Sequence, residues 1–469
     1  MMTPSGLRAP GSILLLSFYE MGHQPLNVAA PLAHLRRAGF EPAVVDTSIE
    51  HLPDEAIRRA RLVAFSVPMH TATRLALPVA ERVRRLNPPT HLSFFGLYAW
   101  LNREHLLDTV ADSIIAGEFE GPLVALAEAL DRSEVSPRVE GISTRTADHP
   151  PALQRLPFLP PARETLPSLD RYAYFRSEAG FVPAGYVEAT RGCLHRCTHC
   201  PITPVYGGRF FAVPRDVVLA DIEAQIEAGA RHITFGDPDF LNGPTHARRL
   251  VRALHEAHPT VTWDATIKVE HILEHEYLFE EFAAQGCAFV VSAIESFSPV
   301  VLQRLEKGHT PKDAERAIRI LRDAGITLRP TFLPFTPWTC LDDYLHLLDR
   351  VDALGLAAQV DPVQYTIRLL VPPGSALLDQ PDAERWFGPL QPARLSHAWM
   401  HPDPKMDALQ REVTAIAEEA VADAGPPLRT FRRIRAAAQR HAGHDPVVQQ
   451  LPPTLVQPIV PGLTEAWFC

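Results

Sequence analysis

Cys193, Cys197 and Cys200 stand in the run Thr190-Arg-Gly-Cys-Leu-His-Arg-Cys-Thr-His-Cys200, a C-x3-C-x2-C spacing just after an apolar stretch at 185–189. Three thiolates on one short loop can converge on one metal centre, and a cubane iron–sulfur cluster held by three of them keeps one iron open to a further ligand. Chemistry can occur at that iron. The alternative is a structural zinc ion completed by His195, His199 or a distant residue, since zinc takes sulfur and nitrogen ligands in fours. Zinc ribbons and fingers usually divide their ligands between two knuckles. The chain has no second C-x2-C pair, so the spacing favours the cluster. Six cysteines in 469 residues, three of them crowded together, also argue against a disulfide framework.

The elements that must hold this loop read as two alternating series. Over 1–131, strand-like runs at 13–18, 42–46, 62–67, 91–95 and 113–116 alternate with helical patterns at 27–38, 75–86 and 122–130. This predicts an α/β doubly wound parallel sheet with a crevice at the strand C-termini, lined by 19–25, 68–73, 96–100 and 117–121. Residues 132–180 carry Pro137, Pro150, Pro151, Pro157, Pro160, Pro161 and Pro167 and predict an extended linker. From 185 a second series begins, with strands at 185–189, 232–235, 262–267, 288–293, 327–333 and 363–370 and helices between them. Six such units predict a partial (β/α)6 barrel over 181–382, its site on the loops after the strands. A C-terminal extension, 383–469, is helical at 405–424 and otherwise irregular.

With these residues in place, the chain resembles the radical S-adenosylmethionine (SAM) enzymes, in particular those with an N-terminal cobalamin-binding-type, Rossmann-like domain. The resemblance runs from residue 13 to about 378. Its most specific element is the cysteine loop, supported by Leu156-Pro157-Phe158, the Gly236-Asp-Pro-Asp-Phe240 loop, Ile294-Glu-Ser-Phe-Ser298 and Leu305-Glu-Lys-Gly-His-Thr310. It implies a [4Fe–4S] cluster on Cys193, Cys197 and Cys200, whose open iron chelates SAM, and one-electron cleavage of a carbon–sulfur bond to act on a small-molecule substrate. It further implies that His199 lies against the adenine and that Asp237 and Asp239 receive the SAM ammonium. Glu295 and Ser296 would contact the ribose hydroxyls, and Arg368 would reach the SAM carboxylate as a forked donor. Ordinary readings stand beside these: a loop histidine, helix capping near Asn242, and a surface ion pair at Glu295.

The chain also departs from that family. It lacks the D-x-H-x-x-G signature of a lower cobalt ligand, and Phe94-Phe-Gly-Leu-Tyr-Ala-Trp100 replaces a glycine-rich turn, so cobalamin is an optional second cofactor. Gly117-Glu118-Phe119-Glu120 keeps the family's acidic turn. Pro334-Phe-Thr-Pro-Trp-Thr-Cys340 stands where relatives carry a Gly-Pro-Gly-Glu turn; Cys340 is a candidate reactive thiol there, or an inert one. Cys469, after Trp467 and Phe468, resembles the start of the Cys-Sec-Ala-Glu-Pro or Cys-Cys-Ala-Glu-Pro tails of a radical SAM subgroup. On that resemblance it is a candidate catalytic residue on a redox-active or metalloid-binding arm; a frayed terminus is the alternative. Two further reactions stay open, 3-amino-3-carboxypropyl transfer and cobalamin-dependent methyl transfer, as does a non-catalytic iron–sulfur or zinc protein.

Composition bounds the partners. A formal net charge of −10 argues against a general nucleic-acid surface, and the basic run 431–440 reads as a solvated helix face. No apolar run reaches the roughly 18 residues of a membrane span, and the start does not read as a signal peptide. The expectation is a cytoplasmic protein with a small-molecule substrate and an electron donor such as flavodoxin or ferredoxin.

Overall fold

The computed structural model describes residues 6–134, 139–155, 157–422, 426–445 and 459–465. Its first sheet has strands β1 (Ile13–Ser17), β2 (Ala43–Asp46), β3 (Leu62–Ser66), β4 (His91–Phe95), β5 (Ser113–Ile115) and β6 (Ile142–Ser143), in the order β2-β1-β3-β4-β5-β6. The first five are parallel, while β6 pairs antiparallel at the edge. β1 and β3 are buried along their whole length, because helices cover both faces and each apolar run must find a core on either side. The crossover helices are Leu26–Arg37, Asp54–Arg59, His70–Leu86, Leu97–Leu101, Arg103–Thr109 and Glu120–Asp131. The loop expected at 96–100 is thus largely helical. Gly96, at φ 108° and with a built Cβ 3.1 Å from the Val67 carbonyl, turns β4 directly into that helix.

The second sheet contains the hairpin β7 (Tyr174–Ser177) and β8 (Gly180–Val187). After a small ribbon, β9 (Thr190–Gly192) with β10 (Phe210–Ala212), come the parallel strands β11 (His232–Phe235), β12 (Thr262–Thr266), β13 (Cys287–Glu295) and β14 (Thr327–Phe332). Five parallel strands, β8 and β11–β14, form the wall, in the barrel-like arrangement the alternation predicts. The sixth expected strand is different. Pro362–Tyr365 is a 3-10 turn, and 363–370 joins no strand ladder: its parallel bridge, Phe335 to Arg368, lies past the end of β14, and Gln364 Oε1 accepts from Phe332 N–H (3.0 Å). Pro362 has no N–H to give a ladder, and Tyr365 is instead buried under the C-terminal helix Pro427–His441, its ring against Phe431.

The linker is a clamp over part of its length. Arg163, 9% exposed, donates to both oxygens of Asp221 (2.6 and 2.9 Å), to Gln24 Oε1 (3.1 Å) and to the Tyr186 carbonyl (2.7 Å). One guanidinium therefore ties the linker to the first sheet's β1 loop and to the barrel. Helices Pro404–Ala422 and Pro427–His441 pack on the barrel's outside. The basic run is indeed a charged helix face: Arg433 pairs Glu419, Arg435 pairs Asp349 and Asp352, and Arg440 pairs Glu412. Among the described residues no helix is long and apolar enough to cross a membrane.

Candidate functional site

The cysteine loop leaves β9 at Gly192, whose φ of 76° and whose built Cβ, 2.4 Å from the Arg209 carbonyl, admit only glycine without strain. Each side of the loop is then pinned by a different element. Cys193 N–H donates to Arg209 O (3.0 Å), Leu194 N–H to Asn242 Oδ1 (3.1 Å), and Thr198 donates to the Leu305 and Arg304 carbonyls (3.1 and 2.9 Å). Thr203 Oγ1 donates back to Cys197 O (2.9 Å). The three thiols are free, with Cys197 buried and the other two half-buried. Burial pushes the Cys193 thiol up to about 12 and Cys200 to about 11, so a bound cation is needed to hold them as thiolates. Three free thiols on one pinned loop make a cradle whose donors are the soft ligands that iron–sulfur centres take.

Behind the cradle lies Lys307, 3% exposed, which donates to Glu295 Oε1 (3.3 Å); His199 Nε2 is also 3.3 Å from that oxygen. Burial opposes the charge on Glu295, but the Lys307 ammonium and His199 hold its carboxyl down at about 2. Glu295 itself sits at φ 63°, a left-handed residue at a register shift between β13 and β14, which swings it off the strand end towards the loop. The structure therefore joins His199 and Glu295. Ser296 Oγ faces inward and accepts from Ser298 N–H (3.0 Å).

Asp237 and Asp239 part company. Asp237 accepts from Ala189 N–H (3.0 Å) and Thr190 Oγ1 (2.5 Å), bracing the segment that enters the loop. Asp239 turns to His195 and His271, 3.2 and 2.8 Å away. Arg368 is committed on the far side, to Asp407 Oδ1 (2.6 Å), the Trp399 carbonyl (2.9 Å) and the Trp399 ring (3.5 Å). Cys340 caps the helix Leu341–Ala353: its N–H and thiol both donate to Asp343 Oδ2, and burial raises the thiol's pKa. Cys469 and Leu156 lie outside the described residues.

A cavity of about 160 Å³ lies in the barrel lumen, with Tyr186, Gly236, Asp237, Asp264 and Arg329 on its walls and Ile202, two residues past Cys200, reaching it from the cysteine loop. A Cβ on Gly236 would fall 2.0 Å from the Tyr186 ring, so glycine is what lets that ring cross the lumen, where it stacks on His23 from the first sheet (4.4 Å). Leu463 and Glu465 close one side: Gly462–Leu463 pairs with β7, and Tyr19 donates to Glu465 (2.6 Å).

Where the two sheets meet, Arg191 is held by Glu118 (3.3 Å), Glu120 (2.6 Å) and Glu188, while Tyr206 Oη donates to Glu118 (3.0 Å). The acidic turn 117–120 thus grips the entrance of the cysteine loop, the opposite charge having stood unread two positions before Cys193. His23, Tyr186, Arg329 and His271 carry no local sequence signal. Strand pairing brings in Tyr186 and Arg329, His271 enters on the helix Val269–Glu274, and His23 comes from the 19–25 loop expected at the crevice.

Residues 187–348 match the Radical SAM superfamily. Among curated proteins, an uncharacterized methyltransferase of Pyrococcus horikoshii is 24% identical over 264 residues, 55% of this chain and 55% of the relative. A ribosomal protein uS12 methylthiotransferase of an Acidovorax species is 26% identical over 204 residues, 38% of this chain and 43% of its own. The chain spans about half the length of the curated relatives it matches. Among solved structures, the radical SAM methyltransferase TsrM of Kitasatospora setae aligns with TM-score 0.65 at 18% identity, covering 86% of this chain and 88% of that one. The cobalamin-dependent SAM radical enzyme OxsB aligns with TM-score 0.68 at 14% identity, covering 88% and 67%. These likenesses concern the fold, and they extend over both sheets. With the loop geometry, the match over residues 187–348 is to a radical SAM domain, and that superfamily works with a [4Fe–4S] cluster and S-adenosylmethionine.

Proposed function

We propose that the chain is a radical SAM enzyme that modifies a small molecule bound in the barrel lumen, with Cys193, Cys197 and Cys200 as the ligands of its cluster. The observation that carries this is the three-thiol loop, pinned from several sides and running on to Ile202 in the wall of a lumen lined also by Tyr186, Asp237 and Arg329. The group bound there supplies the one-electron cleavage of SAM. The chain's own residues do the positioning. Glu295, held ionised beside Lys307 and His199, offers an acceptor for sugar hydroxyls, and Asp237 is the lumen-facing carboxylate for an ammonium. Arg368 and Cys340 have other tasks, in the C-terminal contact and the helix cap. An external one-electron donor of the flavodoxin or ferredoxin kind completes the cycle. Anaerobic reconstitution with SAM and a reductant tests the proposal. 5'-Deoxyadenosine formed by the wild type and not by Cys197→Ala supports it, and no SAM turnover under reduction removes it.

Methyl transfer through cobalamin is the second reading, favoured because TsrM and OxsB, whose structures contain cobalamin, match across the N-terminal sheet as well. Absorbance titration with hydroxocobalamin and S-adenosylhomocysteine as product support it. Methylthioadenosine as product points to aminocarboxypropyl transfer instead. The tail reading draws support from Leu463 and Glu465, which line the lumen shortly before Cys469 in the sequence. A UGA codon followed by Ala-Glu-Pro after codon 469 is its test.

A further inference from the structure

His195, Asp239 and His271 come together from three places: the cysteine loop, the loop after β11 and the helix Val269–Glu274. Their Nε2, Oδ2 and Nδ1 atoms lie within 4.8 Å of one another, with Asp239 Oδ2 3.2 Å from His195 Nε2 and 2.8 Å from His271 Nδ1. At those separations hydrogen bonds would be expected. Yet all three atoms are buried and, close as they are, none meets the angular geometry of a hydrogen bond, although both imidazoles act on the Asp239 carboxyl; Asp239 is 1% exposed. The atoms are close but do not aim at one another.

Such an arrangement is what a shared cation produces. Two ligand atoms each about 2.1 Å from an ion, at angles between octahedral and tetrahedral, lie about 3.0–3.4 Å apart, near the two histidine–carboxylate spacings of 3.2 and 2.8 Å, while the two imidazole nitrogens lie within 4.8 Å. The imidazole rings are inclined at 54° with centroids 4.7 Å apart, so they approach one point from different directions. The outer contacts fit as well. Asp239 Oδ1 is fixed by Leu241 N–H (3.2 Å), which leaves Oδ2 for the ion. His195 Nδ1 faces Glu270 Oε2 (3.4 Å) and Lys268 Nζ (3.1 Å), themselves an ion pair, so a carboxylate stands behind a ligand histidine. Lys268 neutralises that carboxylate, and the competing arrangement, Lys268 donating to Nδ1 with Nε2–H turned on Asp239, makes a plain hydrogen-bonded triad.

We propose that His195, Asp239 and His271 bind one divalent first-row transition ion, zinc, iron(II) or cobalt(II), beside but separate from the three-cysteine cradle. Two imidazoles and one carboxylate select this borderline class over magnesium or calcium and leave further positions for water. The ion would tie the cysteine loop, through His195, to the ends of β11 and β12.

The test uses the full chain and Co²⁺ or Zn²⁺ alone. In the Cys193→Ala/Cys197→Ala/Cys200→Ala variant, one Co²⁺ per chain should bind with ligand-field absorption and without sulfur-to-cobalt charge transfer. Asp239→Asn and His271→Ala should each lower that affinity at least tenfold, and Glu270→Gln about tenfold, as loss of an outer-shell partner does. The cluster-reconstituted wild type should carry one zinc or iron beyond its cluster, lost in His271→Ala. No stoichiometric cobalt in a cysteine-free variant with native circular dichroism overturns the proposal, as does undiminished cobalt binding in His271→Ala. Should the cysteine-free variant not fold, equal metal content in reconstituted wild type and His271→Ala overturns it instead.

Discussion

Arg163→Ala removes a buried side chain that joins linker, first sheet and barrel, and its cost can be worked from its partners. The guanidinium and the Asp221 carboxylate are 8% and 4% exposed, at 2.6 and 2.9 Å in a forked pair, so truncation strands the carboxylate without its partner in a dry site. Breaking a buried pair from one side costs about 3–5 kcal/mol, where an exposed pair costs less than about 1. The Tyr186 carbonyl and Gln24 Oε1 also lose donors, though Gln225 Nε2 still serves the carbonyl at 3.1 Å. A chain with several cores is not expected to unfold in one step, so the quantity to follow is the first urea transition by circular dichroism, with proteolysis of the 132–180 segment as a local probe. Arg163→Ala should move that transition by about 3 kcal/mol or more and speed cleavage. Arg163→Met/Asp221→Leu should recover a large part, because no charge is then stranded. A single variant within about 0.5 kcal/mol of wild type, or a double variant no better than the single, refutes the reasoning.

Glu20, which burial raises to about 7, has a folded pKa above its unfolded 4.5. The stability linked to it is therefore complete below pH 4.5 and declines as pH climbs through 7, by about 3 kcal/mol in all. Glu20→Gln should flatten that decline and melt higher than wild type at pH 8, and identical pH–stability profiles would contradict it. Gly192→Ala must place a Cβ 2.4 Å from the Arg209 carbonyl, so iron bound after reconstitution should fall below about half at unchanged soluble yield. Wild-type iron content would show that the loop is looser than drawn. Arg368→Met should lower thermal stability through the lost Asp407 and Trp399 contacts while leaving the KM for SAM within about twofold. A tenfold rise in KM would return Arg368 to the SAM carboxylate.

The first sheet was legible because its strands are short, continuous apolar runs separated by helical periodicity, and His91–Phe95 has the ends the sequence suggests. The hairpin β7–β8 was hidden by its setting, a proline-rich stretch with Pro183 inside the strand, where the ladder is antiparallel and near the sheet's edge. The sixth barrel strand failed the other way. Its apolar residues are buried by other packing than strand pairing, Tyr365 against Phe431 of the C-terminal helix and Leu369 and Val371 among Val301, Leu305, Leu333 and Phe387, a tertiary fact that no local pattern encodes. At the site, cysteine spacing is local and readable. The split between Asp237 and Asp239 is not, because extended backbone at Asp239 (φ −154°) sends two nearby carboxylates to different partners. Arg191 with Glu118 and Glu120 lay in between: each half was visible, and the match of charges was the clue.

The central claim is that three thiols hold a cluster that cleaves SAM. Iron, acid-labile sulfide and zinc should be counted on anaerobically purified, reconstituted chain, with SAM consumption under reduction followed in the same sample. The account predicts about four irons and four sulfides per chain from the three-cysteine loop, with reductive SAM turnover lost together with them in Cys197→Ala. A single zinc bound by the cysteines, no sulfide and no turnover would contradict it.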